Sequence, residues 1–356
     1  MNHIASDDER LHTIVGVLLG TAVGDSLGLP AEGLSRQRIR ARWCGVWQHR
    51  FLFGRGMVSD DTEHTVFVAQ ALLAYPDDPI AFQSCLAWKL RLWLLGLPAG
   101  IGLATLKAIL KLWVGIPPSR SGVWSAGNGP AMRSAILGVY FAADPAKRRA
   151  FVSASTRLTH TDPKAVTAAL AVAEAVAWAL NQDEPIEQWL THLSGLGCDE
   201  EWLRICQTLA DALASAKSVE QFADSLGLQK GVTGYAYHSV PVSIYAWLRH
   251  RKDFRHALES ALDCGGDTDT VGALAGALMG ADVGKEGIPP EWIAGVCEWP
   301  RSIASLEQIA IRLARQKDTA QALGPVRYFW PGLILRNFLF LVVVLIHGFR
   351  RLGPPY

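Results

Sequence analysis

The apolar residues of this chain recur at helical spacing over most of its length. Leu11, Ile14, Val15, Leu18 and Leu19 share one face of a helix, because residues three and four apart lie side by side. The same spacing marks residues 66–75, 80–97, 103–113, 165–180, 202–214 and 242–248. Long runs of alternating apolar and polar residues, typical of half-buried strands, are missing. The pattern therefore predicts an all-α fold.

Short loops rich in Gly and Pro separate these segments, at residues 115–119, 121–130 and 285–290. No low-complexity linker divides the chain, and no internal repeat is visible. We therefore expect one all-α domain over residues 10–316. A tail of different composition follows at residues 327–356 and predicts a hydrophobic C-terminal helix.

The tail is long and apolar enough to span a membrane. Residues 328–349 number 22 and hold one formal charge, Arg336, whereas a spanning helix needs about 20 apolar residues. Arg336 and Asn337 near the middle make spanning costly, with Trp330 at one end and Arg351 at the other as interfacial residues. The alternatives are a helix lying in the membrane surface, and one packed on the main domain or on a second subunit. We expect membrane association, with the main domain in the cytoplasm.

Composition and charge narrow the function classes. Half of the 356 residues are apolar, and 34 Lys and Arg nearly balance 33 Asp and Glu. No basic field is available to attract nucleic acid, so we expect no nucleic-acid partner. The six cysteines form no C-x-x-C pair, which favours a reducing compartment over a disulfide or zinc framework. The polar start MNHIASDDER lacks the features of a secretory signal.

Two close pairs of aspartates are the strongest candidates for chemistry. Asp60 and Asp61 follow Ser59 at the start of a helical pattern, and Asp267 and Asp269 precede Thr270 (Asp269 directly) before a run of Gly and Ala. Acidic residues at a helix start also serve as caps, which explains one aspartate of a pair better than two. Carboxylate and hydroxyl oxygens suit hard cations. These six residues therefore predict a magnesium site, with manganese as the other possibility.

A glycine-containing loop and a histidine are further candidates. Gly127, Asn128 and Gly129 run through Pro130 into a helical segment, and bare N–H groups at such a start attract phosphate. A plain loop-to-helix turn is the alternative. Arg133 could assist a phosphate or pair with a carboxylate. His160 precedes the helix start at residues 161–163, where a substrate contact and a capping or core position are both open.

Four motifs taken in order resemble the ADP-ribosylglycohydrolase family. They are GTAVGDSLGLPAEG (residues 20–33), SDDTEHT (59–65), GNGPAMR (127–133) and GGDTDTVGALAGA (265–277). The resemblance extends over about residues 11–315 and implies a compact, orthogonal helical bundle with a two-magnesium centre. It implies that Ser59, Asp60, Asp61, Asp267, Asp269 and Thr270 are the metal ligands. Ser59 departs from the family's Thr but keeps the hydroxyl.

The same resemblance assigns substrate and catalytic roles. Gly127, Asn128 and Gly129 match the loop that receives the phosphates or ribose of ADP-ribose, and His160 matches a segment near the substrate. Glu32 matches an acidic residue beside the metals. Glu32 and Asp61 are both candidates for the general acid or base, and the sequence does not choose between them.

The expected reaction is hydrolysis of the bond between ADP-ribose and an acceptor, through an oxocarbenium-like sugar. The expected partner is an ADP-ribosylated protein, with arginine favoured over serine as the linked residue. One alternative is an inactive ADP-ribose-binding relative. A second is a phosphatase, because DTDTV at residues 267–271 fits D-x-D-x-[TV]. That motif should end a buried parallel strand, which the helical sequence before it does not support.

Overall fold

The computed structural model describes residues 7–180, 185–319 and 321–350. This part of the chain forms eighteen α-helices and two short 3-10 helices, at Leu29–Ala31 and Ala131–Arg133, with isolated bridges in place of strands. The predicted all-α class is confirmed. Arg351 and the rest of the tail to residue 356 lie outside the described residues.

The first nine α-helices carry most of the predicted segments. They are α1 (Asp7–Gly28), α2 (Arg36–Trp43), α3 (Asp60–Ala74), α4 (Pro79–Leu95), α5 (Leu103–Trp113), α6 (Pro118–Ser121), α7 (Ala135–Tyr140), α8 (Pro145–Arg157) and α9 (Pro163–Ala179). The other nine are α10 (Ile186–Ser194), α11 (Glu200–Ala214), α12 (Val219–Ser225), α13 (Ala236–Arg249), α14 (Phe254–Leu262), α15 (Thr268–Val283), α16 (Pro290–Gly295), α17 (Ile303–Thr319) and α18 (Pro331–Arg350).

Local sequence explains where several of these helices begin. Asp78 and Asp162 accept hydrogen bonds from the first N–H groups of α4 and α9, and each precedes a proline at the first helical position. Pro fits this position because its missing N–H has no partner there anyway. The predicted segments 80–97 and 165–180 therefore begin one to two residues earlier in the structure.

Helices α1 and α15 form the centre of the fold and pack backbone to backbone. Glycines recur every fourth residue on both helices, which run in opposite directions, so that Gly20 faces Gly276 and Gly24 faces Gly272. A Cβ atom on Gly20 would lie 2.0 Å from the carbonyl oxygen of Gly276. Only glycine permits this approach. The contact brings the start of α15 beside the end of α1.

Helix α18 packs on the main domain through its polar side. The Arg336 guanidinium donates to Glu298 Oε1 (2.6 Å) and to the Val58 carbonyl (2.6 Å), and Asn337 Nδ2 donates to the Gly96 carbonyl (2.8 Å). Phe340 and Val343 are also buried. Of the alternatives for the tail, the structure shows packing on the enzyme. Membrane association stays a prediction.

Two described helices are long and apolar enough to cross a membrane by length and composition alone. The first, at residues 9–31, is 94% buried inside the fold. The second, Pro331–Arg350, is only 28% buried. The buried helix is the core helix α1, whereas α18 presents most of its surface to the outside.

Candidate functional site

A cleft of about 560 Å³ lies where several parts of the chain meet. They are the end of the first 3-10 helix, the start of α3, residues 100–105, the loop 125–132 with His160, residues 232–234 and the turn before α15. The predicted site residues that line it are Glu32, Asp60, Asp61, Gly127, Asn128, Gly129, His160, Asp267, Asp269 and Thr270. Ser59 lies directly behind this lining.

Ser59 and Asp25 shape the start of α3. Ser59 is the capping residue, and its Oγ accepts from the Asp61 N–H at 3.2 Å. The Asp25 carboxylate, on α1, accepts from the N–H groups of Ser59 and Thr62 and from Thr62 Oγ1. Because Ser59 and Asp25 satisfy these N–H groups, Asp60 and Asp61 are not needed as caps.

Asp61 is the most deeply buried carboxylate that lines the cleft. It is 1% exposed, and its Oδ2 accepts from Ser59 Oγ (3.0 Å) and Thr270 Oγ1 (3.3 Å). Its Oδ1 has no hydrogen-bond partner. A buried carboxylate oxygen without a partner is costly. This atom is therefore well placed to contact a bound cation.

A tight glycine turn brings the second aspartate pair into the cleft. Gly265 and Gly266 both have positive φ, at 68° and 85°, and a Cβ on Gly266 would lie 1.9 Å from the Val232 carbonyl oxygen. The turn leads into α15. There Asp267 Oδ2 accepts from Asn128 Nδ2 at 2.6 Å, and Asp269 Oδ1 accepts from the Thr270 N–H at 2.9 Å.

The carboxylates raise one another's pKa values. Burial is the main cause for Asp61, followed by the negative charges of Asp25 and Asp60, and its pKa lies well above 3.8. Burial and then the charge of Glu32 raise the pKa of Asp269 in the same way. Burial raises the pKa of Asp25 to about 6. Such a cluster favours either protons or a cation.

The donor set fits a hard divalent cation, with hydroxyls and water completing the shell. Among the described residues, no three His, Cys, Asp or Glu side chains form a ready-made metal site by themselves. The oxygen-only set of carboxylates and the hydroxyls of Ser59 and Thr270 is nevertheless the chemistry that magnesium prefers. The unpartnered Asp61 Oδ1 would be available to contact such a cation.

The glycine loop lies across the cleft against a neutral histidine. The N–H groups of Gly127 and Asn128 are already engaged, with Ser125 Oγ and the Gly234 carbonyl. Of the three loop amides, only that of Gly129 has no hydrogen-bond partner among the described residues. Burial and then the charge of Arg133 lower the pKa of His160 to about 3, so its imidazole is neutral at pH 7.

The side chain of Arg133 is engaged inside the fold. It is fully buried and donates to Ser155 Oγ (3.0 Å) and Thr159 Oγ1 (2.8 Å), while Thr159 Oγ1 also contacts His160 Nδ1 (2.9 Å). Of the two roles left open by the sequence, a carboxylate partner is present only as the nearby charge of Asp60, and the phosphate contact stays a prediction. Arg133 supports the segment that carries His160.

Three neighbours of the predicted site belong to the core. Glu63 is buried and pairs with Arg301 at 2.5 Å. His64 is also fully buried. Tyr237 is buried and donates to Asp199 Oδ2 at 2.8 Å.

Asp25 is the site residue that sequence reasoning missed. It lies inside the first motif, in GDSLG, where a lone aspartate among apolar and small residues is the only signal. Its role depends on α1 and α3 meeting in space, which the sequence does not show. It positions the Ser59–Thr62 turn and adds negative charge beside Asp61.

The family follows from a match over nearly the whole chain. A model of the ADP-ribosylglycohydrolase family matches residues 6–322. This chain belongs to the ADP-ribosylglycohydrolase family. It is an enzyme that hydrolyses linkages to ADP-ribose.

Three proteins and one solved structure are similar to this chain over most of their length. An uncharacterized protein of Archaeoglobus fulgidus is 33% identical, and the alignment covers 83% of this chain and 94% of that protein. ADP-ribosyl-[dinitrogen reductase] glycohydrolase of Rhodospirillum rubrum is 27% identical, and the alignment covers 79% of this chain and 88% of that protein. ADP-ribosylarginine hydrolase Tri1 of Pseudomonas putida is 28% identical, and the alignment covers 89% of this chain and 82% of that protein. A solved ADP-ribosylglycohydrolase-related protein complex is 26% identical, with a TM-score of 0.63 over 86% of this chain and 99% of its own.

The two alternative functions are not supported. The phosphatase motif should follow a parallel strand, whereas here Asp267 and Asp269 open α15 in a described chain without strands. An inactive relative would be expected to lack oxygen side chains at the ligand positions. All of them are present and, apart from Ser59 directly behind, line the cleft.

Proposed function

We propose that this ADP-ribosylglycohydrolase is metal-dependent and cleaves the bond between ADP-ribose and the side chain of an ADP-ribosylated protein, with arginine as the preferred acceptor. The observation that carries the metal dependence is the unpartnered Oδ1 of Asp61 in an oxygen-lined cleft. The name of the Pseudomonas putida relative, ADP-ribosylarginine hydrolase, supports arginine.

Two magnesium ions, or manganese, would be held by Ser59, Asp60, Asp61, Asp267, Asp269 and Thr270. When bound, they supply polarisation of a water and of the ribose hydroxyls. Ser59 and Thr270 direct hydrogen bonds at Asp61 Oδ2, so its Oδ1 would be available to a cation. Asn128 orients Asp267 in the same manner.

Glu32 is the better candidate for the general acid or base. It lines the cleft and is exposed, so it can exchange a proton with water and with the departing acceptor. Asp61 is buried and already committed to its hydroxyl donors. The Gly129 amide receives a phosphate, and the neutral His160 ring lies against Gly127 and supports that loop.

The test compares two acceptors under two metal conditions. Proteins ADP-ribosylated on arginine or on serine are incubated with the enzyme in magnesium or in chelator, and free ADP-ribose is quantified. We expect release of ADP-ribose from the arginine-linked protein in magnesium only. Equal release in chelator would reject the metal dependence. Release from the serine-linked protein alone would reject arginine as the preferred acceptor.

A further inference from the structure

Helix α18 is arranged with its apolar side outwards. Its polar residues Arg336 and Asn337 face the domain and are buried, as described above. The exposed side is entirely apolar for five turns. The large exposed residues are Ile334, Leu335, Phe338, Leu339, Leu341, Val342, Leu345, Ile346 and Phe349. A water-facing helix normally shows the opposite arrangement.

Helix α4 has an apolar outer stripe as well. Its exposed positions recur every third or fourth residue, as the solvent face of a helix does. They are occupied by Ile80, Ser84, Trp88, Leu92 and Leu95. Leu97 is 75% exposed and continues the stripe. The carbonyl of Gly96, between Leu95 and Leu97, accepts the hydrogen bond from Asn337. The outer sides of α4 and α18 therefore meet at residue 96.

Helix α5 extends this face to the cleft. Its exposed positions are Leu103, Lys107, Leu110 and Trp113, and Val114 follows directly. Leu103 also lines the cleft, as do Gly100 and Gly102 of the preceding loop. We call the exposed sides of α4, α5 and α18, with the loop 96–102, the apolar face.

The charged residues on α4, α5 and α18 themselves are all positive, whereas the adjoining cleft holds the carboxylates described above. Residues 79–143 contain six Lys and Arg and no Asp or Glu, and no acidic residue follows Asp318. Five of the six cations lie on or beside α4 to α6; Lys107 and Arg120 are exposed, and Lys89, Arg91 and Lys111 are half-buried. The nearest acidic residues at the start of α4 are occupied, Asp77 by Lys147 (2.7 Å) and Asp78 as the helix cap.

We propose that the apolar face lies on the surface of an anionic lipid bilayer. Exposed Trp and Leu among unopposed Lys and Arg are the composition of interfacial membrane-binding surfaces. Protein interfaces, by contrast, are depleted of lysine. The buried pair of Arg336 and Glu298 holds α18 on the domain, so the helix lies along the bilayer and does not cross it.

Binding in this way places the active-site cleft beside the membrane. Leu103 belongs both to the apolar face and to the cleft wall. Substrates attached to the membrane or held near it would then reach the cleft most readily. The lipid contact itself does not depend on which acceptor the enzyme prefers.

The test is sedimentation of the full chain with phosphatidylcholine vesicles, with and without phosphatidylglycerol. We expect binding to the anionic vesicles and weaker binding as salt increases. Lys107→Gln should lower the partition coefficient about fivefold, as expected for one charge near an anionic surface. Leu92→Ser combined with Phe338→Ser should lower it at least about tenfold.

Leu203→Ser is the matched control, because Leu203 is an exposed leucine on α11, away from this face. It should bind vesicles as the unchanged chain does. Absence of binding to anionic vesicles would overturn the proposal, and so would binding that the Leu92 and Phe338 changes leave intact. A dimer in sedimentation velocity that these changes disperse, without vesicle binding, would assign the face to a second copy.

Discussion

At the scale of single residues, the cleft gathers negative charge that the fold alone does not compensate. Asp61 is buried with one oxygen unpartnered, and its neighbours Asp25 and Asp60 raise its pKa further. Burying like charges costs free energy unless protons or cations are bound. The protein keeps this arrangement at its cleft, where a cation would remove the cost.

Replacing Glu32 should separate catalysis from metal binding. Glu32→Gln removes the proton-transfer group at the exposed edge of the cleft, and we expect kcat to fall about 10²- to 10⁴-fold. The increase in melting temperature on adding magnesium should stay as in the unchanged enzyme, because the oxygen cluster around Asp61 is untouched. A kcat within a factor of two of the original would show that Glu32 is not the acid or base.

Replacing Asp61 should change how stability depends on pH in chelator. Its folded pKa lies above the unfolded value of 3.8, so the protonated form stabilises the fold at low pH and this stabilisation is lost as pH rises through the folded pKa. Asp61→Asn cannot ionise. At pH 8 its melting temperature should exceed that of the unchanged protein by at least about 2 °C, with the difference disappearing toward pH 4.

With magnesium at pH 8, the unchanged protein should have a higher melting temperature than Asp61→Asn. The unchanged protein gains stability from the bound ion, whereas Asp61→Asn gains much less. The lowered pKa values of His64 and His160 affect the stability of both proteins alike, so their contribution cancels in the difference. A melting-temperature difference that is constant from pH 4 to pH 8 would contradict the buried ionisation of Asp61.

At the scale of helices, the glycine contact between α1 and α15 sets where the ligands stand. Asp25 on α1 and Asp269 on α15 are brought together only because the two backbones touch. The helical segments themselves were predictable from the apolar period. The small residues of α15 also predicted close packing, but the identity of its partner was not visible, since α1 lies more than 200 residues away.

A single methyl group in this contact should disturb the fold. In Gly276→Ala the added Cβ would lie 2.1 Å from the Gly20 carbonyl oxygen, and we expect the free energy of unfolding to fall by about 1–3 kcal/mol. Gly348→Ala on α18 is the control, since no atom lies within 4 Å of its added Cβ. Equal melting temperatures for both variants would mean that α1 and α15 are packed less closely than described.

At the scale of the whole molecule, sequence reasoning succeeded where it depended on local pattern or on motif order. It predicted the all-α class and the residues that meet in the cleft. It failed where a side chain's role depends on a distant partner. For Arg133 the sequence left a phosphate contact and a carboxylate pair open, and it did not indicate the buried contact with Ser155. The charge of Arg336, which made the tail ambiguous, is explained by Glu298, a residue that nothing in the tail's own sequence indicates.

The most direct test of the account is release of ADP-ribose from an arginine-ADP-ribosylated protein by the unchanged enzyme and by Asp269→Ala, in magnesium and in chelator. Asp211→Ala is the matched control, because Asp211 is an exposed aspartate on α11. We predict release of ADP-ribose in magnesium by the unchanged enzyme and by the control, and loss of release in chelator and in Asp269→Ala. Undiminished release by Asp269→Ala, or in chelator, would contradict metal-dependent hydrolysis in this cleft.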